Sequence, residues 1–217
     1  MLRTMWVAGL IGVLGAVGLA GCGGSAPQDD RPVVAATLLT ATHVFFQDLT
    51  DAMEAEAEAR GLRLRVQYAE FDLRRQNNQI DTFIAQQPAA LIVAPADSSG
   101  IAPALRAATE AGIPVFTVDI AADGAPVVSH IASDNYTGGQ RAARYLAEAI
   151  GGAGQLAIID HPEVRSVQDR TRGFLEVLAE YPDIALVARV PGDGQRDKSL
   201  RAAEDILYAN PELDGIF

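Results

Sequence analysis

The chain has 217 residues, 49% hydrophobic and 21% charged, a globular composition that excludes a disordered protein and is ample for a core. Acidic residues outnumber basic ones 28 to 17, and the net charge of −11 argues against an electrostatic hold on nucleic acid or anionic lipid. A single cysteine excludes an internal disulfide and any zinc site that needs two or more thiolates.

Residues 1–21 carry one positive charge, Arg3, and then an almost purely apolar run to Leu19. Such a run suits a short membrane span, a buried helix or a secretory signal; its place behind a basic residue and its small-residue end favour the signal. Leu19-Ala20-Gly21-Cys22 resembles the bacterial lipobox, which implies cleavage before Cys22 and acylation of its sulfur. A signal with an incidental cysteine, or a retained span, is the alternative. Residues 22–31 read as a flexible linker rich in Gly, Ser and Pro, so a lipid-anchored protein outside the cytoplasm is expected.

From Pro32 onward strands and helices alternate. An apolar run at 33–39 reads as a strand buried on both faces. A helix follows at 45–60, with Phe46, Leu49, Met53 and Ala57 on one stripe and Gly61 at its stop. Residues 62–66 alternate apolar with arginine, as in a strand with one wetter face near an edge. Helices at 72–86 and 101–111 and strands at 90–94 and 113–118 continue the pattern. An apolar strand from Val127 runs directly into Ser133-Asp134-Asn135-Tyr136, which places a boundary between residues 32–133 and 134–217. The second half repeats the rhythm: helices at 135–150, 164–180 and 196–209, strands at 155–160, 184–190 and 213–217. The fold class is α/β, with parallel sheets flanked by helices. Ile216-Phe217 is mid-strand by pattern, so a C-terminally truncated chain with an incomplete second half is expected.

In open parallel sheets ligands sit beyond the carboxyl ends of the strands, which singles out a few residues. Asp119, closing an apolar strand, is poorly solvated and needs partners: two ligand hydroxyls, or a helix cap or salt bridge. Phe45 and Phe46 fit either a plain core or a wall against the apolar face of a sugar ring, one residue in each role. Arg170, on the helix at 164–180, is either a solvated charge or a planar fork for two ligand oxygens. His130, within an apolar strand, suits a hydrogen-bonded structural role. Asp160-His161 resembles a base with its orienter, but no nucleophile can be placed beside it. No phosphate-binding glycine motif follows any strand, and the histidines have no ligand spacing, so no cofactor and no metal is expected. Gly138-Gly139, inside a helix start, indicates close packing.

Val127-Val128-Ser129-His130-Ile131-Ala132-Ser133-Asp134-Asn135, followed by Gly138-Gly139, resembles the interlobe passage of ribose-type periplasmic binding proteins, the sugar-capturing subunits of ABC importers. Ile113-Pro114-Val115 leading to Asp119, the Phe45-Phe46 pair, Arg170 before Gly173-Phe174 and the run Asn210 to Phe217 match as well. Related sugar-sensing repressors share the interlobe run but carry a helix-turn-helix where this chain has a lipobox. The resemblance implies a two-lobed fold with an incomplete second lobe, and a sugar or polyol held by Phe45, Phe46 and Asp119 from one lobe and Arg170 from the other. It implies a membrane permease as partner, and a monomer is expected. His43, Ala94, Ile120 and Gly194 depart from the ribose pattern, which implies a less polar and roomier pocket, with His43 itself expected at the ligand. A lipoprotein that reports ligand to a membrane receptor, or an enzyme on a related scaffold using Asp160-His161, are the alternatives.

Overall fold

The nearly unbroken apolar run Val33–Leu38 forms β1 and lies inside a five-stranded parallel sheet, where both faces are covered. The computed structural model describes residues 29–217. The expected signal peptide at 1–21, Cys22 and most of the 22–31 linker lie outside the described residues. The other strands of this sheet are β2 (Arg63–Tyr68), β3 (Ala90–Val93), β4 (Val115–Val118) and β5 (Ser129–Ile131), in the order β2-β1-β3-β4-β5. β2 is an edge strand, as its alternation predicts. β5 is the opposite edge and is shorter and wetter than the apolar run suggests: all three of its residues are exposed.

Helix α1 (Val44–Ala59) packs on one face, bringing Phe46 against Leu38 and Val66. α2 (Leu73–Gln86) and α3 (Ala102–Glu110) cover the other, where Ile80, Phe83 and Leu105 meet Leu91 and Val93. Buried Gln76 of α2 donates to the carbonyl of Ala94 (2.9 Å) and accepts from the amide of Ala96 (2.8 Å). A polar tie inside the core thus fixes the helix to the end of β3. α1 leaves part of its face open, an apolar groove of about 310 Å3 along Met53, Ile92, Phe116 and Ile131.

The second half contains α4 (Asn135–Ala149), β6 (Gly154–Asp160), α5 (Arg165–Leu178), β7 (Ile184–Pro191), α6 (Arg196–Ala209) and β8 (Gly215–Ile216). Its strands form a separate parallel sheet in the order β7-β6-β8. Every expected element is present, with ends displaced by two residues at most.

α4 and α5 touch backbone to backbone. A Cβ on Gly139 would run into the carbonyl of Arg170, and one on Gly173 into the carbonyl of Tyr136. Of the pair read as close-packed, Gly139 alone has this role, since a Cβ on Gly138 would meet nothing within 4 Å.

The two halves are also joined at the start of α5. Its N-cap position, Val164, has no side chain able to satisfy the orphan amides. Ser98, fully buried in the loop after β3, does so from the other half: its Oγ accepts from the amide of Arg165 (2.8 Å) and its amide donates to the carbonyl of Glu163 (3.0 Å).

Candidate functional site

The carboxyl ends of the first sheet and the start of α5 border a cavity of about 330 Å3 that contains residues of both halves. Phe45, Phe46, His43, Asp119 and Arg170 all line it.

Asp119 leaves β4 with φ +60°, a left-handed conformation that a side chain rarely adopts. Its amide is fixed by the carbonyl of Ile131 (2.9 Å). Among the described residues its carboxylate has no hydrogen-bond donor and no ion pair, so neither the helix cap nor the salt bridge considered from sequence is formed. Burial pushes its pKa up, opposed by the charges of Arg170, His130 and His43. A carboxylate in this state is short of donors.

Arg170, half-buried on α5, donates from Nη1 to Oδ1 of Asn135 (2.6 Å). Asn135 opens α4 and donates in turn to the carbonyl of Ser133 (3.0 Å), so the guanidinium is held by the segment that joins the two halves. The backbone contact at Gly139 sets the height of Arg170 along α5.

Both phenylalanines line the cavity, Phe46 from the core and Phe45 from an exposed position. Phe46 is 4% exposed and Phe45 45%, with rings edge to face at 5.2 Å. His43 caps α1, its Nδ1 accepting from the amide of Phe45 (3.2 Å), which places the proton of the neutral ring on Nε2. His130 has a structural bond to Thr117 Oγ1 (2.9 Å), although it is exposed on β5.

Asp160 and His161 do not form a base with its orienter. Oδ2 of Asp160 is 2.6 Å from both Nε and Nη2 of Arg189, a structural ion pair between β6 and β7. His161 lies instead against the ring of Phe71, centroids 6.3 Å apart, and burial lowers its pKa against the pull of Glu163, Asp193 and Asp160. Asp97 caps the approach to α3, accepting from the amides of Ser99 (2.9 Å) and Gly100 (2.7 Å), and Asp193 pairs with Lys198. Asp160 and Asp97 are spent on structure, whereas Oδ1 of Asp193 is buried without a hydrogen-bond partner; among the described residues no group of histidine, cysteine and carboxylates could hold a metal ion.

Asn135 and Phe71 are among the cleft residues that escape a reading of the sequence. Asn135 looks like part of a helix start, and Phe71 follows an edge strand whose loop reaches the cleft all the same. Phe71 also fills the space beside Gly194, one of the four positions behind the expectation of a roomier pocket. A Cβ there would be 3.2 Å from Cε1 of Phe71 and 3.4 Å from Nδ1 of His161, so these rings occupy the space. Ile120 and Ala94 are buried among apolar neighbours.

A family model described as a periplasmic binding protein domain matches residues 34–217. The ribose import binding protein RbsB of Bacillus subtilis is 30% identical over 179 residues, covering 82% of this chain and 58% of that protein. A xylitol-binding protein of Mycolicibacterium smegmatis is 28% identical over 214 residues, 96% of this chain and 61% of its own length. The chain therefore spans about three-fifths of these curated relatives. Among solved structures, an ABC transporter periplasmic solute binding protein of Actinobacillus succinogenes with bound D-allose is 33% identical at a TM-score of 0.77, covering 86% of this chain and 68% of that one.

Proposed function

We infer that this chain, which belongs to the periplasmic binding protein domain family, captures a sugar or related polyol between its two halves and delivers it to an ABC-type permease. The observation that carries this reading is the donor-poor carboxylate of Asp119 in the same cavity as the guanidinium of Arg170 and the exposed ring of Phe45. A polyol offers hydroxyl protons to Asp119, hydroxyl oxygens to Arg170 and C–H faces to the ring. Of the relatives, one is named for ribose import and another for xylitol binding.

Residues 32–133 act as one lobe and 134–217 as part of the other, turning about the link at Ser133 to Tyr136. The ligand touches both lobes only when they are together, so its extra contacts there shift the population towards the closed form. That form is the one a permease would recognise. The protein works as a monomer outside the cytoplasm, anchored by acyl chains on Cys22. No helix among the described residues is long and apolar enough to cross a membrane.

Titration calorimetry of the chain with a panel of pentoses, hexoses and their alditols tests the reading. Heat with at least one member, lost in Arg170→Ala, is the expected result, and no heat with any member refutes it. Cys22→Ala should move the protein from the membrane to the soluble fraction of cells, and retention on the membrane would sink the anchor.

A further inference from the structure

Phe71 is built into the cleft at a conformational cost. It and Glu70 both have left-handed backbones, φ +62° and +52°, which disfavour a bulky side chain and collect at functional positions. The strain is locked in place. Glu70 accepts from Oγ1 of Thr40 (2.7 Å) and the amide of Ala41 (3.1 Å), while the amide of Phe71 is tied to the carbonyl of Leu39 (3.2 Å). Asp72, the next residue, caps α2 by accepting from the amides of Arg74 (2.8 Å) and Arg75 (3.0 Å). The turn therefore has no slack, and it aims the ring across the cleft at Gly194 and His161.

The ring also lies where two cavities meet. The inner one, about 330 Å3, contains Asp119 and Arg170. The outer one, about 520 Å3, is lined by Glu70, Gln195, Arg196 and Asp197. Thr40, His43, Phe71 and Gly194 border both, so they form the neck between them. Thr40 is committed to Glu70, Gly194 has no side chain, and His43 is tied to the start of α1. Phe71 is the large, directed side chain at this neck.

We propose that Phe71, wedged against Gly194 and His161, is the size-setting wall of the site, confining the inner cavity to a single sugar ring and giving that ring a second aromatic surface beside Phe45. This rests on the sugar-binding reading above. The ring excludes a second sugar unit by filling the neck, and its flat face rewards a cyclic ligand over an acyclic alditol.

The test compares the wild-type chain with Phe71→Ala and Phe71→Leu in two measurements. In calorimetry with monosaccharides, their alditols and disaccharides, the wild type binds a monosaccharide and rejects disaccharides. Phe71→Ala should bind that monosaccharide about ten-fold more weakly, the size of one lost aromatic contact, and should narrow its preference over disaccharides. Phe71→Leu should keep the size limit while losing the preference for rings. Equal affinities and an unchanged size preference in Phe71→Ala would overturn the proposal. The second measurement is proton NMR titration of the three histidines, which needs no sugar. His161 should titrate below the ordinary histidine value in the wild type and move up towards it in Phe71→Ala, as water enters the neck. An unmoved midpoint would overturn the wedge whatever the sugars do. A wild type that binds no sugar would refute the sugar-binding reading and the sugar-ring wall with it, and would leave the midpoint to decide the wedge alone.

Discussion

On the side of the five-stranded sheet, three cleft groups sit on loops leaving parallel strands, His43 after β1, Phe71 after β2 and Asp119 after β4, with Phe45 in the first turn of the helix that follows His43. Each strand end is held by its ladder, so the loop above it can change residues while the scaffold stays. On the side of the three-stranded sheet, Arg170 is carried by the body of α5, whose place is fixed by steric contact with α4 at Gly139 and Gly173. The first arrangement separates chemistry from folding. The second ties them together, since whatever moves the helix moves the guanidinium.

The sharpest way to break this contrast is Gly139→Ala. The added methyl collides with the carbonyl of Arg170, and the helices must part at a cost of about 3 kcal/mol. Urea denaturation should show that loss, and sugar affinity should fall with it; a loss below about 1 kcal/mol would mean the helix pair yields easily. Asp119→Asn probes the other side. Affinity for the best sugar should drop about 100-fold in calorimetry while the fold persists, because a charge-assisted acceptor is replaced by a weaker one. Stability should also respond to pH. A carboxyl whose folded pKa is raised above its unfolded value destabilises the fold as pH climbs from the ordinary carboxylate range through the raised value. The wild type should lose stability relative to Asp119→Asn across that window, and parallel pH profiles would contradict the burial of the charge.

Ser98→Ala tests the bond between the two sides. Removing the borrowed cap should cost about 1 kcal/mol and, in small-angle scattering, enlarge the average radius as the halves separate more often. The smallest effect belongs to Gly138→Ala, which places a methyl in open space on the helix next to the sensitive position. It should raise the denaturation midpoint by the equivalent of about 0.5 kcal/mol, the gain of alanine over glycine in a helix.

How far the sequence could be read follows the same division. Periodicity located every strand and helix, because burial on two faces or one stripe leaves its mark on neighbouring residues. It also brought Asp119 and the phenylalanine pair to strand ends, whereas their grouping with Arg170 follows from the family resemblance; all four line one cavity. What it could not supply are partners distant in the chain. Gly173 is unremarkable until Tyr136 is known to cross it, and Ser98 looks like one loop serine among others. Phe71 follows an edge strand, a place that suggests solvent, whereas the loop it belongs to leans over the cleft. Asp160-His161 illustrates the converse: adjacency in sequence suggested chemistry, and Arg189, from the neighbouring strand, claims the carboxylate.

The serine that reaches across from the loop after β3 has a dynamic consequence. The amide of Arg165 is protected from solvent only while that hydroxyl is in place, since nothing within its own helix can accept from it. With the halves swinging as proposed, each parting would uncover this proton together with that of the Ser98 amide and each return would hide them again, so their exchange with deuterated water would serve as a counter of how often the molecule gapes.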